Sequence, residues 1–285
     1  MQFDNMKHSL SVVMGVRYLR EDLSLLERAV RSISNQTYSD FEFLICENGS
    51  TNSSRKLLEA LVEEDPRIRL IDGTGADTLA KKLNRCIEAS HGEWIARQDD
   101  DDYSEPERFE KQLDFLKSNP EISFVGCNVK LIQEGEVQGI RKFPQRPVVK
   151  DFLFTQPYIH PALIFRKKVL DAVGGYCEEH RCDGCEDYDL LLRLYENGYL
   201  GANLTNTYFT YTLPPKGHSN RTFRMRVNEM QTRFVRFRSL GLLPRALPYV
   251  IKPVLVGLIP SPFLPALRSL RYSFHSRKKM SCEEE

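Results

Sequence analysis

Four short apolar runs, residues 11–16, 41–46, 68–71 and 94–96, are separated by stretches whose apolar residues recur at helical spacing. Leu23, Leu26, Val30 and Ile33 mark the first of these helices, Leu57, Leu58, Leu61 and Val62 the second, and Leu79, Leu83, Cys86, Ile87 and Ser90 the third. Repeated strand–helix units of this length leave one economical arrangement, an α/β fold with a mainly parallel sheet and helices on both faces. Ligands of such sheets lie beyond the carboxyl ends of the strands. With 285 residues the chain holds material for one large α/β domain or two small ones.

The fourth run ends in Asp99, Asp100, Asp101 and Asp102. Like charges packed this densely at the end of a buried strand repel one another strongly, so a compensating positive charge is expected. Carboxylates at i and i+2 of an extended segment point the same way, and hard oxygen ligands suit Mg2+ or Mn2+. A solvated acidic turn is the plainer alternative. Ser104 and Glu107 then have capping-box spacing with Pro106 between them, which predicts a helix starting there and carrying Phe109, Leu113 and Leu116 inward. Beyond it the pattern predicts a strand over 122–132, a polar hairpin or loop over 133–147, and a strand over 162–165. A helix with Tyr188, Leu191, Leu192 and Tyr195 on one face starts near Cys185, and a closing strand covers 208–212.

Seven cysteines are an odd number, and several sit in apolar runs where a small hydrophobe fits, so reduced thiols are expected. The N-terminus is polar and the run after it is too short for a signal-peptide core, so no export is expected. The net charge of +1 hides a division: from Lys216 onward Lys and Arg far outnumber the single acid, Glu229, that precedes the terminal glutamates. An acidic body therefore carries a basic tail.

Residues 11–16, 35–42, 47–51, 83–84, 92–102 and 186–190 resemble, in order and spacing, the family 2 inverting glycosyltransferases of the GT-A fold, of the bacterial cell-surface polysaccharide type. The resemblance covers about residues 8–215. It implies a Rossmann-like domain over 1–215, with 8–120 holding a nucleotide sugar and 121–215 shaping the acceptor site. It also implies transfer of a sugar from a nucleotide diphosphate, with inversion, to a saccharide that is expected to be lipid-linked.

In that family the acid at the position of Glu47 binds the nucleotide base, and a carboxylate suits the imide N–H of uracil or thymine because it only accepts. A UDP- or dTDP-sugar donor follows. Gly15, Asn84 and Asp100 fall on donor-binding segments, and Arg17 reads either as a phosphate contact or as a solvated loop charge. The aspartate run matches the family's Asp-x-Asp-Asp motif: Asp99 faces the ribose or the metal, Asp101 ligates Mn2+ or Mg2+, and Asp102 supports it. The cation neutralises the leaving diphosphate. Asp187 matches the general base, with Glu186 beside it; acids at a helix start also simply complement the helix dipole. Lys216 and His218 fall where the family closes over the diphosphate.

Cys177, His180, Cys182 and Cys185 have zinc-like ligand types in a loop of ordinary length, and His160 reads equally as an acceptor-cleft or a structural histidine. In the tail, Phe223, Val227, Met230, Phe234 and Phe237 form an apolar stripe among arginines, followed by a proline-broken apolar run. Residues 216–285 are thus expected to form a basic helical region on the anionic inner face of the cell membrane, without spanning it. Packing on the domain or on a second copy of the chain is the alternative. Nucleic-acid binding is not expected, because stacking aromatics are not interleaved with the basic residues. The rival functions are a nucleotidyltransferase, for which residues 15–18 make a poor phosphate loop, and a catalytically silent scaffold of a polysaccharide synthase complex.

Overall fold

The computed structural model describes residues 8–215 and 221–259. Its first half follows the strand–helix alternation: β1 (Leu10–Val16), α1 (Ser24–Ser34), β2 (Phe41–Glu47), α2 (Asn52–Glu64), β3 (Ile68–Asp72), α3 (Leu79–Glu88) and β4 (Trp94–Arg97). These strands lie in the order β3-β2-β1-β4, every neighbouring pair parallel. Every residue of β1 is buried: Val12 and Met14 pack with α1 and α2 residues on one face, Val13 with α3 residues on the other. Thr51 and Thr78 start α2 and α3 by accepting the amides of Ser54 and Lys81, at 3.2 and 3.3 Å.

The chain then passes through β5 (Tyr103–Ser104), α4 (Arg108–Ser118), β6 (Ile122–Gln133), β7 (Glu136–Arg141), β8 (Ile164–Arg166), α5 (Lys167–Ala172), α6 (Glu186–Glu196) and β9 (Leu200–Thr212). The sheet continues β4-β8-β6-β9-β5, with β7 as a hairpin on β6. Here β8 is antiparallel to both β4 and β6, whereas β6 and β9 are parallel, so the parallel character belongs to the first half and the second half is mixed.

The capping box does not form as its spacing predicts. Ser104 lies in β5, and its hydroxyl donates to Gln98 Oε1 and accepts from Arg108 Nη1, both at 2.7 Å. Tertiary partners take the group the cap would have used, and α4 starts at Arg108 without a side-chain cap.

Within the basic tail, α7 (Phe223–Ser239) and α8 (Leu247–Gly257) join the body of the domain. Phe237, Ala246 and Val250 belong to the same buried cluster as Phe124, Tyr188 and Leu191. The face that α7 buries is Asn228, Thr232, Arg233 and Phe237, so of the apolar stripe only Phe237 is fully buried, and Phe223 and Phe234 stay half exposed. Polar contacts explain the rotation. Asn228 donates to the His180 and Asp183 carbonyls at 2.9 and 3.1 Å, and Arg236 Nε donates to Asp189 Oδ1 at 2.9 Å. No helix among the described residues is long and apolar enough to cross a membrane.

Asp189 is fully buried and also accepts from Arg193 Nε at 2.8 Å. Replacing it by Asn leaves two largely buried guanidinium groups short of a counter-charge, at a cost of about 3 kcal/mol. Asp189→Asn should therefore lower the urea midpoint clearly; an unchanged midpoint would show that this carboxylate does not hold α7.

Candidate active site

The four aspartates lie between β4 and β5, at the carboxyl end of the parallel half. The end of β9 pins this loop: Thr212 N donates to Asp102 Oδ1 at 2.7 Å and Thr212 Oγ1 to the Asp101 carbonyl at 2.5 Å. From the first loop and α1, Arg20 pairs with Asp101 at 3.2 Å and Arg28 donates to the Asp101 carbonyl at 3.0 Å. Burial and its two neighbours Asp101 and Asp99 push the Asp100 carboxyl up to about 7. Burial and nearby acids also raise Asp101 and Asp102. Asp102 Oδ2 is buried without a hydrogen-bond partner. A cluster that accumulates negative charge and leaves a buried carboxylate oxygen unmatched fits a hard cation.

Two buried arginines frame the loop. Arg97, fully enclosed at the end of β4, donates to Asp99 and to the Gln98 carbonyl. Arg108 at the start of α4 donates to Gln112 Oε1 (3.0 Å), Gln98 Oε1 (3.2 Å), Ser104 Oγ and the Arg97 carbonyl (2.9 Å). Burial among these neutral acceptors brings the Arg108 guanidinium down to about 10. Neither arginine stands out in the sequence.

The second acidic group is Glu186 and Asp187 at the start of α6. Burial and the adjoining Asp187 raise Glu186 to about 7, and burial raises Asp187 against the opposing charge of Arg221. Gln156 hydrogen-bonds Asp187. Tyr176 lies within the fields of Asp187, Glu186 and Asp99, and Arg97 within those of Glu186 and Asp100, so both acidic groups act on the same buried arginine and tyrosine. His160 is buried and held neutral, far below its usual range, by burial and by Arg97; its Nε2 and the Tyr176 hydroxyl are 2.6 Å apart. It is a hydrogen-bonded structural histidine.

At the carboxyl end of β2, Glu47 accepts the Ser50 amide at 2.8 Å and pairs with Arg55 at 3.0 Å. Arg17 is exposed beside Gly49. Gly15 lets α3 close on β1, since a Cβ there would meet Leu79 at 2.9 Å and Lys82 at 3.0 Å. Lys82 is a cation that the motifs do not reveal: buried on α3, it lies in the fields of Glu47 and Asp100. Asn84, also on α3, faces Tyr176 and Glu178. Its amide donates to the Tyr176 carbonyl (2.9 Å) and to Glu178 (2.7 Å) and accepts the Tyr176 amide (2.8 Å). Gly175, at φ +67°, makes this possible, because a Cβ would stand 2.6 Å from Asn84 Oδ1.

The zinc-like quartet does not converge. His180 is exposed beside Asp183 at 3.2 Å, and Cys185 faces Thr232 at 3.4 Å, while Cys177 and Cys182 approach each other at 2.7 Å. Among the described residues, Cys177, Cys182 and Asp189 are the one trio of such ligands within 4.8 Å, and the arginines already neutralise Asp189. All the described cysteines are free thiols. Lys216 and His218 lie outside the described residues.

Residues 16–174 match the family described as Glycosyl transferase family 2. The chain belongs to that family. This glycosyltransferase is 29% identical to EpsE of Bacillus subtilis over 276 residues, 96% of each chain. It is 30% identical over 205 residues to the Escherichia coli UDP-Gal:alpha-D-GlcNAc-diphosphoundecaprenol beta-1,3-galactosyltransferase, covering 68% of this chain and 70% of that one. The structure of Staphylococcus aureus TarS 1-349 in complex with UDP-GlcNAc superposes with a TM-score of 0.67 at 16% identity, over 86% of this chain and 73% of that one. The fold is GT-A.

The raised carboxyls make the stability of the glycosyltransferase depend on pH with a definite sign. A carboxyl whose folded pKa lies above its unfolded value holds a proton that the unfolded chain has released, so stability falls as pH rises between the two. For Asp100 and Glu186 that window runs from about 4 up to about 7. The metal-free protein should melt at falling temperature across it and level off above. Asp100→Asn should flatten the slope and melt a few degrees higher than the parent at pH 8, as scanning calorimetry would show.

Proposed function

We propose that this enzyme transfers a sugar from a UDP- or dTDP-sugar, with inversion, to a lipid-linked saccharide in the synthesis of a cell-surface polysaccharide. The observation that carries the reading is that two buried acidic groups act on the same arginine and tyrosine, one set to hold a cation and the other to accept a proton. Asp99 and Asp101 would hold Mn2+ or Mg2+, with Asp102 supporting them. Such ions are commonly held by one or two carboxylates plus phosphate oxygens, in keeping with an aspartate loop that is not a closed cage. When bound, the ion supplies a Lewis acid that neutralises charge on the departing nucleoside diphosphate.

This chain's own groups do the rest. Glu47 accepts from the imide of the base, and Lys82 and Arg17 add positive charge along the diphosphate. The donors printed in the names of the galactosyltransferase and of the TarS complex, UDP-Gal and UDP-GlcNAc, support a uridine nucleotide. Asp187 takes the proton of the acceptor hydroxyl as it attacks the anomeric carbon. Its raised pKa makes it a stronger base than a solvated carboxylate. Glu186 lies beside it, and Tyr176 feels the charge of both Asp187 and Asp99.

The diphosphoundecaprenol in the galactosyltransferase's name supports a lipid-linked acceptor. Exposed Leu247, Ile251 and Leu255 form a stripe on α8, followed by exposed Leu258 at its C-terminal cap, which suits peripheral attachment to the cytoplasmic face of the membrane.

Calorimetric titration of UDP with Mn2+ tests the metal assignment. Asp101→Asn should abolish the metal-dependent part of the affinity, and an unchanged isotherm would refute the role. Asp187→Asn should keep UDP affinity while transfer slows by ~10²-fold or more. Transfer at the parental rate would put the base elsewhere, and absence of any donor hydrolysis by the parent enzyme would favour a silent scaffold.

A further inference from the structure

Among the described residues, three arginines hold Asp99 and Asp101, and they are held very differently themselves. Arg97 gives its guanidinium to Asp99 and is fully enclosed. Arg28 Nη2 is fixed on the Asp101 carbonyl and on Thr212 Oγ1, at 3.0 and 3.1 Å. Arg20 alone of the three combines a carboxylate partner with access to solvent: its Nη2 reaches Asp101 Oδ2 at 3.2 Å, and its side chain is 47% exposed against 26% for that of Asp101. A pair this open to water is weak and sensitive to salt, so a stronger cation displaces it readily. Arg20 lies outside the segments that carry the family resemblance.

The loop between β1 and α1 holds Arg20 in place by its neighbours. Tyr18 is buried; its amide donates to Ser50 Oγ at 2.9 Å, its carbonyl accepts the Thr51 amide at 3.1 Å, and its hydroxyl donates to the Asp22 carbonyl at 2.9 Å. Tyr18 and Asp22 are thus tied together on either side of Arg20, and the guanidinium lies 5.8 Å from the centre of the Tyr18 ring. A change of partner at that guanidinium needs only side-chain rotation. The loop also spans the donor region, because Ser50 and Thr51 follow Glu47 while Arg20 reaches the aspartates.

A guanidinium and a divalent cation that share one carboxylate repel each other. A nucleoside diphosphate arriving with the cation brings the negative charge that a released arginine matches, since its fork binds phosphate oxygens bidentately. We propose that Arg20 is the counter-charge of Asp101 in the metal-free enzyme, that Mn2+ or Mg2+ displaces it, and that it then pairs with the diphosphate of the donor. Arg20 thereby strengthens the coupling between metal and nucleotide. This rests on the reading of Asp101 as a metal ligand.

Calorimetric titrations of the full chain with Mn2+ alone, with UDP alone, and with UDP at saturating Mn2+ test it. Arg20→Gln should bind Mn2+ alone at least about threefold more tightly, because the competitor at Asp101 is gone. The same variant should bind UDP at saturating Mn2+ at least about 10-fold more weakly, because a charged hydrogen bond to the diphosphate is lost. Its affinity for UDP without metal should stay parental, so the factor by which Mn2+ and UDP strengthen each other falls by about 10-fold or more. Opposite signs in the two affinities are the signature, since damage to the site weakens both. Arg20→Lys keeps the charge without the fork and should restore the parental Mn2+ affinity and part of the UDP affinity. Melting temperatures report on the folding of each variant. A folded Arg20→Gln in which either affinity stays parental, or in which both move the same way, overturns the proposal and leaves the metal assignment standing. UDP binding by the parent that is indifferent both to Mn2+ and to Asp101→Asn overturns the metal assignment, and this proposal with it.

Discussion

A single buried guanidinium, Arg97, bonds Asp99 and lies within the field of Glu186, and so acts on both acidic groups of this enzyme. Burial works against its charge, and Asp99, Tyr176 and Asp100 act in the opposite direction strongly enough that its pKa is raised. The same charge acts on Glu186 and Asp102 and helps to keep His160 neutral. Without it, carboxyls already pushed upward by burial would meet with no protein cation fixed between them. A buried charge persists when it is paired and hydrogen-bonded, and Arg97 finds its partners in Asp99 and the Gln98 carbonyl.

Arg108 does for the backbone what Arg97 does for charge. Its N–H groups tie α4 to the end of β4 and, through Ser104, to β5, so the aspartate loop is anchored on both sides. Its cationic face packs on Phe209 at 5.0 Å, which connects the loop to β9. The loop is thus held by rigid elements, and its carboxylates are presented together rather than dispersed into solvent.

The helices after β9 line a cleft of about 200 Å³ next to Asp187. Asp189, two residues and about 200° of helix after Asp187, on the inner side of α6, draws in Arg193 and Arg236 and so docks α7. Its neighbour in the motif stays at the cleft while Asp189 faces the core, and helical periodicity separates the two roles. Docking α7 through polar residues also leaves apolar side chains of α7 and α8 outward.

The parallel half of the sheet, the position of the aspartates at a strand end, and Glu186-Asp187 at a helix start were all legible in the sequence. Each is a local signal: the alternation of period 2 and period 3.6 reports which face is buried, and consecutive acids demand a strand end or a helix start. What only the tertiary structure decided depends on partners distant in the chain. Ser104 has the spacing of a cap, yet Gln98 and Arg108 claim its hydroxyl. Lys82 and Tyr176 lie on none of the family segments, and Arg97, within one of them, has no assigned role there, because a lone charge or phenol gains its role only from the groups that folding brings beside it. Asn84 lies on a family segment and hydrogen-bonds the Tyr176 backbone. The tail shows the same division. Its basic, apolar composition was readable, but which face of α7 turns inward was settled by Asp189, Asp183 and His180, since a buried hydrogen bond to a charge outweighs the small gain from burying one more partly covered apolar side chain.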